Sequence, residues 1–323
     1  MSETSGDSGS RPGEPASTGP GRVVVAGGTG FIGSHLVPAL AASGYEVVVL
    51  TRGRRAETTT ARYLEWHPGS DDPAGSPPWK QSLSGAQGVV NLCGESAAAR
   101  RWTEAHKRVL VESRTVPSRT LVAAANSLEH PPAVILQASG VNYYGTGEEE
   151  RDEAAAPGED FLAHLACAWE APLEETLIRT VSMRFGAVLD GHHGALPQML
   201  LPFRLFAGGP VAGGRQWLSW IHVRDAVNAI LFLLGSPLAD AVNVTSPHPV
   251  RNADFARTAG RVLHRPSFVP MPRFVISAAL GEGATMVCDG VKALPAKLEG
   301  AGFPFRFAQL EPALTDLVGG KAS

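Results

Sequence analysis

Short apolar stretches and helical patterns alternate along the first two thirds of the chain. The apolar stretches are rich in valine, isoleucine and leucine and are typical of buried strands, whereas the segments between them carry apolar residues at helical spacing. Six strands are predicted in this way, at residues 23–26, 46–52, 62–66, 88–95, 133–139 and 179–189. Because strands that alternate with helices pair in parallel, the pattern predicts an α/β fold with an open, doubly wound parallel sheet.

The pattern changes on both sides of this region. Residues 1–20 are mainly Ser, Gly, Pro and Glu, which predicts a disordered tail. From residue 191 onward the chain combines glycine loops, short strands and helices, one of which Asp225 is predicted to cap. We therefore expect a parallel-sheet domain over residues 21–190 and a smaller mixed C-terminal lobe over residues 191–323. The lobe is expected to share the sheet and to shape a substrate pocket at the junction.

A cluster of glycines lies between the first predicted strand and the helix that follows. Gly28-x-Gly30-x-x-Gly33 and Gly27-x-x-Gly30-x-x-Gly33 both fit the dinucleotide-binding fingerprint. Glycines permit the tight turn and the approach of a pyrophosphate, and the free N–H groups of the helix then face the phosphates. Dinucleotide binding is therefore assigned to Gly27, Gly28, Thr29, Gly30, Phe31, Ile32 and Gly33. The alternative is a turn that serves only the packing of helix on strand.

The end of the second predicted strand indicates which dinucleotide is bound. NAD-type folds place Asp or Glu there to bind the ribose 2′-hydroxyl, but this chain has Thr51-Arg52. A carboxylate would repel a 2′-phosphate, whereas a guanidinium pairs with it. The sequence therefore favours NADP(H) over NAD(H).

Charge and cysteine content restrict the class of partner. The formal net charge is -3, and no run of apolar residues is long enough to span a bilayer, so neither nucleic acid nor a membrane is an expected partner. The three cysteines are isolated and show no metal-ligand spacing, so no metal site is predicted and a reduced, cytoplasmic setting is expected. A small molecule is the expected partner. The sequence does not decide whether the chain forms a homodimer.

Polar side chains follow the fifth predicted strand. Ser139 ends that strand, and Tyr143 and Tyr144 lie in the loop after it. Ligands bind at the carboxyl ends of parallel strands, so a hydroxyl and two phenols there form a candidate reaction surface. For each tyrosine the alternative is an aromatic ring that only packs.

Together these motifs resemble the extended short-chain dehydrogenases/reductases. The chain is most similar to the atypical "epimerase family" branch, also described as nucleoside-diphosphate-sugar epimerase-like or cell-division-inhibitor-like. The resemblance runs over residues 22–317, and its marks are residues 26–33, 91–95, 101–103, 112–114, 141–145, 213–222 and the segment from residue 249. It implies a Rossmann-like domain with a small C-terminal lobe.

The resemblance also implies roles for individual residues. Thr51 and Arg52 would bind the 2′-phosphate of NADP(H), and Arg114 would reach the cofactor from its helix. The remaining roles fall to Leu92 and Cys93 on the adenosine side, Val188 near the nicotinamide, and Arg215 and Gln216 at the substrate.

One departure from the family pattern concerns catalysis. Typical members carry Tyr-x-x-x-Lys on the helix after the fifth strand, where the lysine lowers the pKa of the tyrosine that exchanges a proton with substrate. With Glu170 aligned to the glutamate that follows this motif, the tyrosine falls on Leu162 and the lysine on Ala166. Neither side chain transfers protons, so ordinary ketone reduction does not follow from the resemblance.

The position of the family's Ser/Thr depends on the alignment. Counting back from Gly145 gives Gly140, and counting along the strand gives Ser139. Ser139 is preferred because the atypical branch tends to keep a hydroxyl there. With Tyr143 and Tyr144 it completes the candidate catalytic set.

Two classes of function remain. The first is an NADP(H)-dependent, oxidoreductase-like or epimerase-like enzyme without the Tyr-x-x-x-Lys pair, and this is the class we favour. The second is a non-catalytic NADP(H)-binding sensor or scaffold. A non-redox cyclase or isomerase that reuses the fold is a third hypothesis, because fold alone does not decide function.

Overall fold

The computed structural model describes residues 20–70, 75–97 and 100–319. The predicted N-terminal tail lies outside the described residues, except for Pro20. The described strands are β1 (Arg22–Ala26), β2 (Glu46–Thr51), β3 (Arg62–Glu65), β4 (Gly88–Asn91), β5 (Val134–Gly140), β6 (Glu150–Arg151), β7 (Arg179–Phe185), β8 (Ala187–Leu189), β9 (Trp217–Leu218), β10 (Trp220–His222), β11 (Asp240–Val244), β12 (Val250–Arg251) and β13 (Lys292–Ala293).

Helices connect and cover these strands. The described α-helices are α1 (Phe31–Ala42), α2 (Pro78–Gln81), α3 (Glu104–Asn126), α4 (Phe161–Glu170), α5 (Leu196–Arg204), α6 (Val223–Gly235), α7 (Asn252–Leu263), α8 (Arg273–Leu280), α9 (Thr285–Cys288), α10 (Ala296–Gly300) and α11 (Leu310–Gly319). Single 3-10 turns occupy Val141–Tyr144, Ala171–Glu175 and Gly281–Ala284.

The central sheet has seven parallel strands in the order β11-β7-β5-β4-β1-β2-β3. The order reverses direction after β1, as in a Rossmann-like, doubly wound sheet. Alternate residues of β1 serve opposite faces: Val23 and Val25 join the core under α1 and α6, and Val24 joins the core under α2 and α3. A strand buried on both faces reads as a continuous apolar run, which is why the sequence revealed it.

The sixth predicted strand is divided in two. Residues 179–185 form β7 within the sheet, whereas residues 187–189 form β8, which leaves the sheet and pairs with β10. Gly186 lies at the division, where a Cβ atom would be only 2.7 Å from the Ser219 carbonyl oxygen. The close crossing of two backbones therefore ends β7 and directs the chain toward the C-terminal lobe.

The C-terminal part of the chain contributes some elements to the central sheet domain and others to a separate apolar cluster. β11 forms one edge of the central sheet and α6 packs against α1, while α5, α7 and α11 enclose a separate apolar cluster. The prediction that Asp225 caps α6 is wrong. His222 is the N-cap and accepts the Arg224 N–H through Nδ1 at 3.0 Å. The buried Asp225 carboxylate instead accepts the backbone N–H groups of Arg306 and Phe307, which attaches the C-terminal segment to α6.

Among the described helices, none combines the length and apolar character needed to cross a bilayer.

Candidate functional site

The glycine turn joins β1 to α1, and three of its glycines are required by close packing. Gly27 has a φ of +77°, and a Cβ there would lie 2.8 Å from the Leu92 carbonyl carbon. A Cβ at Gly28 would be 2.9 Å from Val49 Cγ1, and one at Gly33 would be 2.5 Å from the Gly27 carbonyl oxygen. Each of these contacts forces atoms apart, so strand, turn and helix approach this closely only with glycine.

Gly30 differs from the other three. Within 4 Å its hypothetical Cβ meets only the Gly27 oxygen, at 3.3 Å, and Gly30 itself is exposed. As N-cap of α1 it offers no side chain to the first N–H groups of the helix, at Phe31, Ile32 and Gly33. The exposed Thr29 and Gly30 thus leave an open cradle with donors and the positive end of a helix dipole, which suits a pyrophosphate.

The end of β2 supplies a cation beside this turn. Thr51 is half-buried, Arg52 is exposed, and within the described part of the chain Arg52 forms neither an ion pair nor a hydrogen bond. The nearby carboxylate of Glu65 pairs with Arg54 at 3.2 Å instead. Arg52 is therefore free to bind an anion.

Leu92 and Cys93 line the loop that follows β4, next to the glycine turn. Both side chains are partly buried against the sheet. Burial raises the pKa of Cys93 to about 12, although Arg52 acts in the opposite direction. Cys93 is thus a neutral thiol at neutral pH, so it is a lining residue rather than a nucleophile.

Arg114 reaches the same loop from α3. Its Nη2 donates to the Glu95 carbonyl oxygen at 2.9 Å and its Nη1 to the Leu110 carbonyl oxygen at 3.0 Å, and its guanidinium lies 4.8 Å from the Trp169 ring centroid. Burial lowers the pKa of Arg114 to about 10. No carboxylate lies within ion-pair distance of it among the described residues, so the charge is positioned by backbone oxygens and remains available to an anionic ligand.

Three polar residues stand in register across the carboxyl ends of neighbouring strands. Ser139 of β5 pairs with Arg184 of β7, which pairs with Asn243 of β11. Parallel strands in register place these side chains on one face of the sheet. The three residues are buried, and they form one hydrogen-bonded network with Glu170 of α4 and with Tyr144.

Arg184 lies at the centre of this network. Its Nε and Nη2 donate to the two oxygens of Glu170 at 2.9 and 2.7 Å, and its Nη1 donates to the Tyr144 hydroxyl at 3.0 Å. Glu170 Oε1 also accepts the Ser139 hydroxyl at 2.6 Å, and the Tyr144 hydroxyl donates to Asn243 Oδ1 at 2.7 Å. Burial raises the pKa of Tyr144, and Arg184 opposes that shift.

The two tyrosines differ in burial and in the hydrogen bonding of their hydroxyls. Tyr144 is buried with its hydroxyl saturated, whereas Tyr143 is half-buried and its hydroxyl forms no hydrogen bond to any described residue. The Arg184 guanidinium lies 3.3 Å from the Tyr143 ring centroid, which is a close cation–π contact. Of the two phenols, only that of Tyr143 is available to a ligand.

The positions aligned to the family's tyrosine and lysine are structural. Leu162 packs against the apolar cluster of Trp102, Leu110 and Leu165, and Ala166 is buried on α4. Glu170, one turn further along α4, is held by Ser139 and Arg184. Helix α4 therefore presents the Glu170 carboxylate to the network and apolar side chains at Leu162 and Ala166.

The remaining predicted residues lie farther along the chain. Val188 is half-buried in β8 and packs against the core beside α1. Gln216 donates through Nε2 to the carbonyl oxygens of Val211 and Val287, at 3.1 and 3.0 Å, so its amide group holds loops together. Arg215 is exposed.

Sequence reasoning missed Arg184 and Asn243. The only sequence signal was a polar residue near the end of an otherwise apolar strand, at a position that faces the core. Such a residue needs a buried partner, but the pairing of Tyr144 with Asn243 spans 99 residues and has no local signature.

Comparison with known proteins agrees with this fold. Residues 23–245 match the model of the NAD dependent epimerase/dehydratase family, and residues 271–317 match a domain of unknown function, DUF1731. Epimerase family protein YfhF of Bacillus subtilis is 39% identical over 303 residues, which cover 92% of this chain and 97% of that protein.

Two solved structures extend the comparison. Human epimerase family protein SDR39U1 (isoform 2), solved with NADPH, is 32% identical, with a TM-score of 0.83 over 93% of this chain and 100% of that one. MoeE5, solved with UDP-glucose and NAD, is 19% identical, with a TM-score of 0.73 over 93% of this chain and 98% of that one. At that lower identity the likeness concerns the fold alone.

Proposed function

The chain belongs to the NAD dependent epimerase/dehydratase family, and we propose that within it this protein binds NADP(H) rather than NAD(H). The open cradle at Gly30 would hold the pyrophosphate, and Thr51 and Arg52 would hold the 2′-phosphate. Leu92, Cys93 and Arg114 would line the adenosine side, and Val188 would lie toward the nicotinamide.

The single observation that carries this proposal is the unpaired Arg52 at the end of β2. An NAD-type site needs a carboxylate acceptor for the ribose hydroxyls at this strand end. Here the nearest acidic side chain on β3, Glu65, is bound to Arg54. The human relative solved with NADPH supports the same choice of cofactor.

We further propose that the protein is an enzyme acting on a small molecule at the junction of the sheet and the C-terminal lobe, with Arg215 near the substrate. A bound nicotinamide supplies or accepts a hydride. With Leu162 and Ala166 in place of the usual pair, the group that would move a proton is Tyr143, since of the two phenols beside Arg184 it is the one whose hydroxyl forms no hydrogen bond to the described residues. Ser139 would position Glu170 and, through it, Arg184 above the Tyr143 ring.

This arrangement favours substrates that need little acid assistance. An activated C=C or C=N bond accepts a hydride at carbon, and the proton that completes the reduction comes from Tyr143 or from water. An epimerase-type cycle, in which an alcohol is oxidised and then reduced again, would demand more of the chain, because Tyr143 would first take up the hydroxyl proton and later return it.

One observation favours a second candidate, a non-catalytic NADP(H) sensor. The hydroxyls of Ser139 and Tyr144 are both consumed within the protein, so two of the three predicted catalytic groups serve the fold. The enzyme proposal predicts loss of near-ultraviolet NADPH absorbance with at least one of a panel of enones and imines, or conversion of a nucleotide sugar by the NADP+-loaded protein with no net change in that absorbance. Tight NADPH binding with no turnover across that panel would support the sensor instead.

A further inference from the structure

Two histidines and an aspartate meet beside the first turn of α1. His35 Nε2 lies 3.3 Å from Asp190 Oδ2, and His193 Nδ1 lies 3.2 Å from Asp190 Oδ1. The three ligand atoms fall within 4.8 Å of one another. Across the described residues, this is the one group of three or more His, Cys, Asp or Glu side chains that approach so closely.

The backbone holds the loop that carries two of these residues. An isolated bridge between Leu189 and Gly194 closes the loop, and the N–H groups of His192 and His193 donate to Asp190 Oδ1 at 2.8 and 2.7 Å. His193 Nδ1 also lies within hydrogen-bond distance of Oδ1, at 3.2 Å. Asp190 is buried, and its Oδ2 accepts no hydrogen bond from the described residues.

The loop is also packed against α1. The ring of Phe31 stacks on His193, with centroids 6.0 Å apart and planes 21° apart, and meets His35 edge-on at 6.1 Å. A Cβ at Gly194 would be 2.8 Å from the Phe31 ring. These contacts fix both imidazoles before any ligand arrives.

An ordinary ion pair does not account for His35. Its Nε2 atom is fully buried, yet it forms no hydrogen bond, because its alignment with Asp190 is poor despite the short distance. A buried, unpartnered ring nitrogen that faces a carboxylate is costly unless a further group lies between them.

We propose that His35 Nε2, the Asp190 carboxylate and His193 Nδ1 bind a divalent transition-metal ion, with Zn²⁺ the best match. Two nitrogens and one oxygen are a ligand set typical of Zn²⁺, and bonds of about 2.0 Å at tetrahedral angles place neighbouring ligand atoms about 3.3 Å apart. The Asp–His distances here are 3.3 Å from His35 Nε2 to Oδ2 and 3.2 Å from His193 Nδ1 to Oδ1, so each imidazole faces a different oxygen of the carboxylate. His193 is exposed, so water completes the coordination.

The bound ion would fasten the β8–α5 loop to α1. Because α1 begins at the open cradle of Gly30, the metal stiffens the wall of the proposed dinucleotide site without using its phosphate-binding groups. The sequence gives no hint of this arrangement, since His35 and Asp190 are distant along the chain.

The test uses tag-free, full-length protein treated with EDTA and then titrated with ZnCl₂ by calorimetry, or with CoCl₂ followed by visible absorption. We expect one high-affinity Zn²⁺ per chain, and cobalt absorption bands of four-coordinate intensity without thiolate charge transfer. His193→Ala and His35→Gln should each weaken binding by about 100-fold or more, since loss of a ligand exceeds the effect of losing an outer-shell partner.

His192→Ala is the matched control. This histidine lies on the same loop and contributes only its backbone N–H to Asp190, so the variant should bind Zn²⁺ like the wild type. His193→Ala removes an exposed side chain, so its fold should persist, and circular dichroism of the metal-free protein checks this. Wild-type protein that takes up no stoichiometric Zn²⁺, or His193→Ala and His35→Gln variants that bind as tightly as His192→Ala, would overturn the proposal.

Discussion

Arg184 and Glu170 form a two-point ion pair, with Nε–Oε1 and Nη2–Oε2 distances of 2.9 and 2.7 Å. It joins the sheet to α4, and both side chains are largely buried, at 5% and 13% exposure. Ser139 donates to the same carboxylate. The pair thus holds the Ser139 and Tyr144 hydroxyls in a fixed charge network, whereas the Tyr143 hydroxyl lies outside it.

Loss of that carboxylate should be costly. Glu170→Ala leaves the Arg184 guanidinium buried and unpaired, which should lower the free energy of unfolding by about 3–5 kcal/mol. Glu65→Ala removes the exposed partner of Arg54 and should cost less than about 1 kcal/mol. Urea unfolding measures both. A Glu170→Ala variant as stable as Glu65→Ala would show that the network contributes little.

A substitution at Gly30 should change dinucleotide binding without lowering the stability of the fold. Its φ and ψ of -82° and -173° suit any L residue, and an aspartate at an N-cap accepts hydrogen bonds from the helix. Gly30→Asp should therefore match or exceed the wild type in melting temperature without ligand. Its carboxylate would occupy the cradle and repel the pyrophosphate, so NADPH should no longer raise the melting temperature. A full NADPH shift in a folded Gly30→Asp variant would place the pyrophosphate elsewhere.

The two tyrosines should respond differently to loss of the hydroxyl. Tyr144→Phe leaves Arg184 and Asn243 each short of a buried partner and should cost about 1–3 kcal/mol of stability. Tyr143→Phe should change stability by less than about 0.5 kcal/mol. If Tyr143 supplies the proton, the same variant should lower kcat about 100-fold or more on an active substrate. Equal effects of the two substitutions on unfolding and kcat would contradict this division.

His222 should make the fold sensitive to mild acid. Burial lowers its pKa from 6.5 to about 4, against the influence of Asp316. Between those two pH values the unfolded chain binds a proton that the folded chain does not, so stability falls as the pH falls from 6.5 toward 4. Above pH 6.5 this contribution is constant.

Urea unfolding at several pH values isolates that contribution. Asn at position 222 keeps an acceptor for the Arg224 N–H but does not titrate, so His222→Asn should show a shallower loss of stability in this range. His248→Asn, at an exposed position, should retain the wild-type slope. A His222→Asn slope equal to that of the wild type would assign the acid sensitivity to other groups.

Much of the fold could be predicted because its signals are local. The valine run of β1 is buried on both faces, and the spacing of the glycines that follow it is a pattern within eleven residues, although the contacts that require Gly27 and Gly28 come from Leu92 and Val49. For the same reason the sequence indicated strands, sheet type and the position of the turn. The division of β7 from β8 was missed because it depends on the backbone at Ser219, which crosses Gly186.

The polar interior was harder to predict. Asp225 fits a helix cap by position, yet His222 takes that role and Asp225 binds backbone 81 and 82 residues away. In the same way, Arg184 binds Glu170 on α4 and Tyr144 on the 3-10 turn after β5, 14 and 40 residues away. Residue type and spacing show that a buried polar group needs a partner, but only the tertiary arrangement shows which one.

The affinities of the wild-type protein for NADPH and NADH, measured by calorimetry, test the central claim most directly. Arg52 should make NADPH bind at least about tenfold more tightly, a difference of about 1.4 kcal/mol. Arg52→Asp should reverse that order, whereas Arg55→Asp, on the exposed loop beyond, should retain it. Equal affinities in the wild type, or a preference for NADPH that survives Arg52→Asp, would contradict the assignment of Arg52 to the 2′-phosphate.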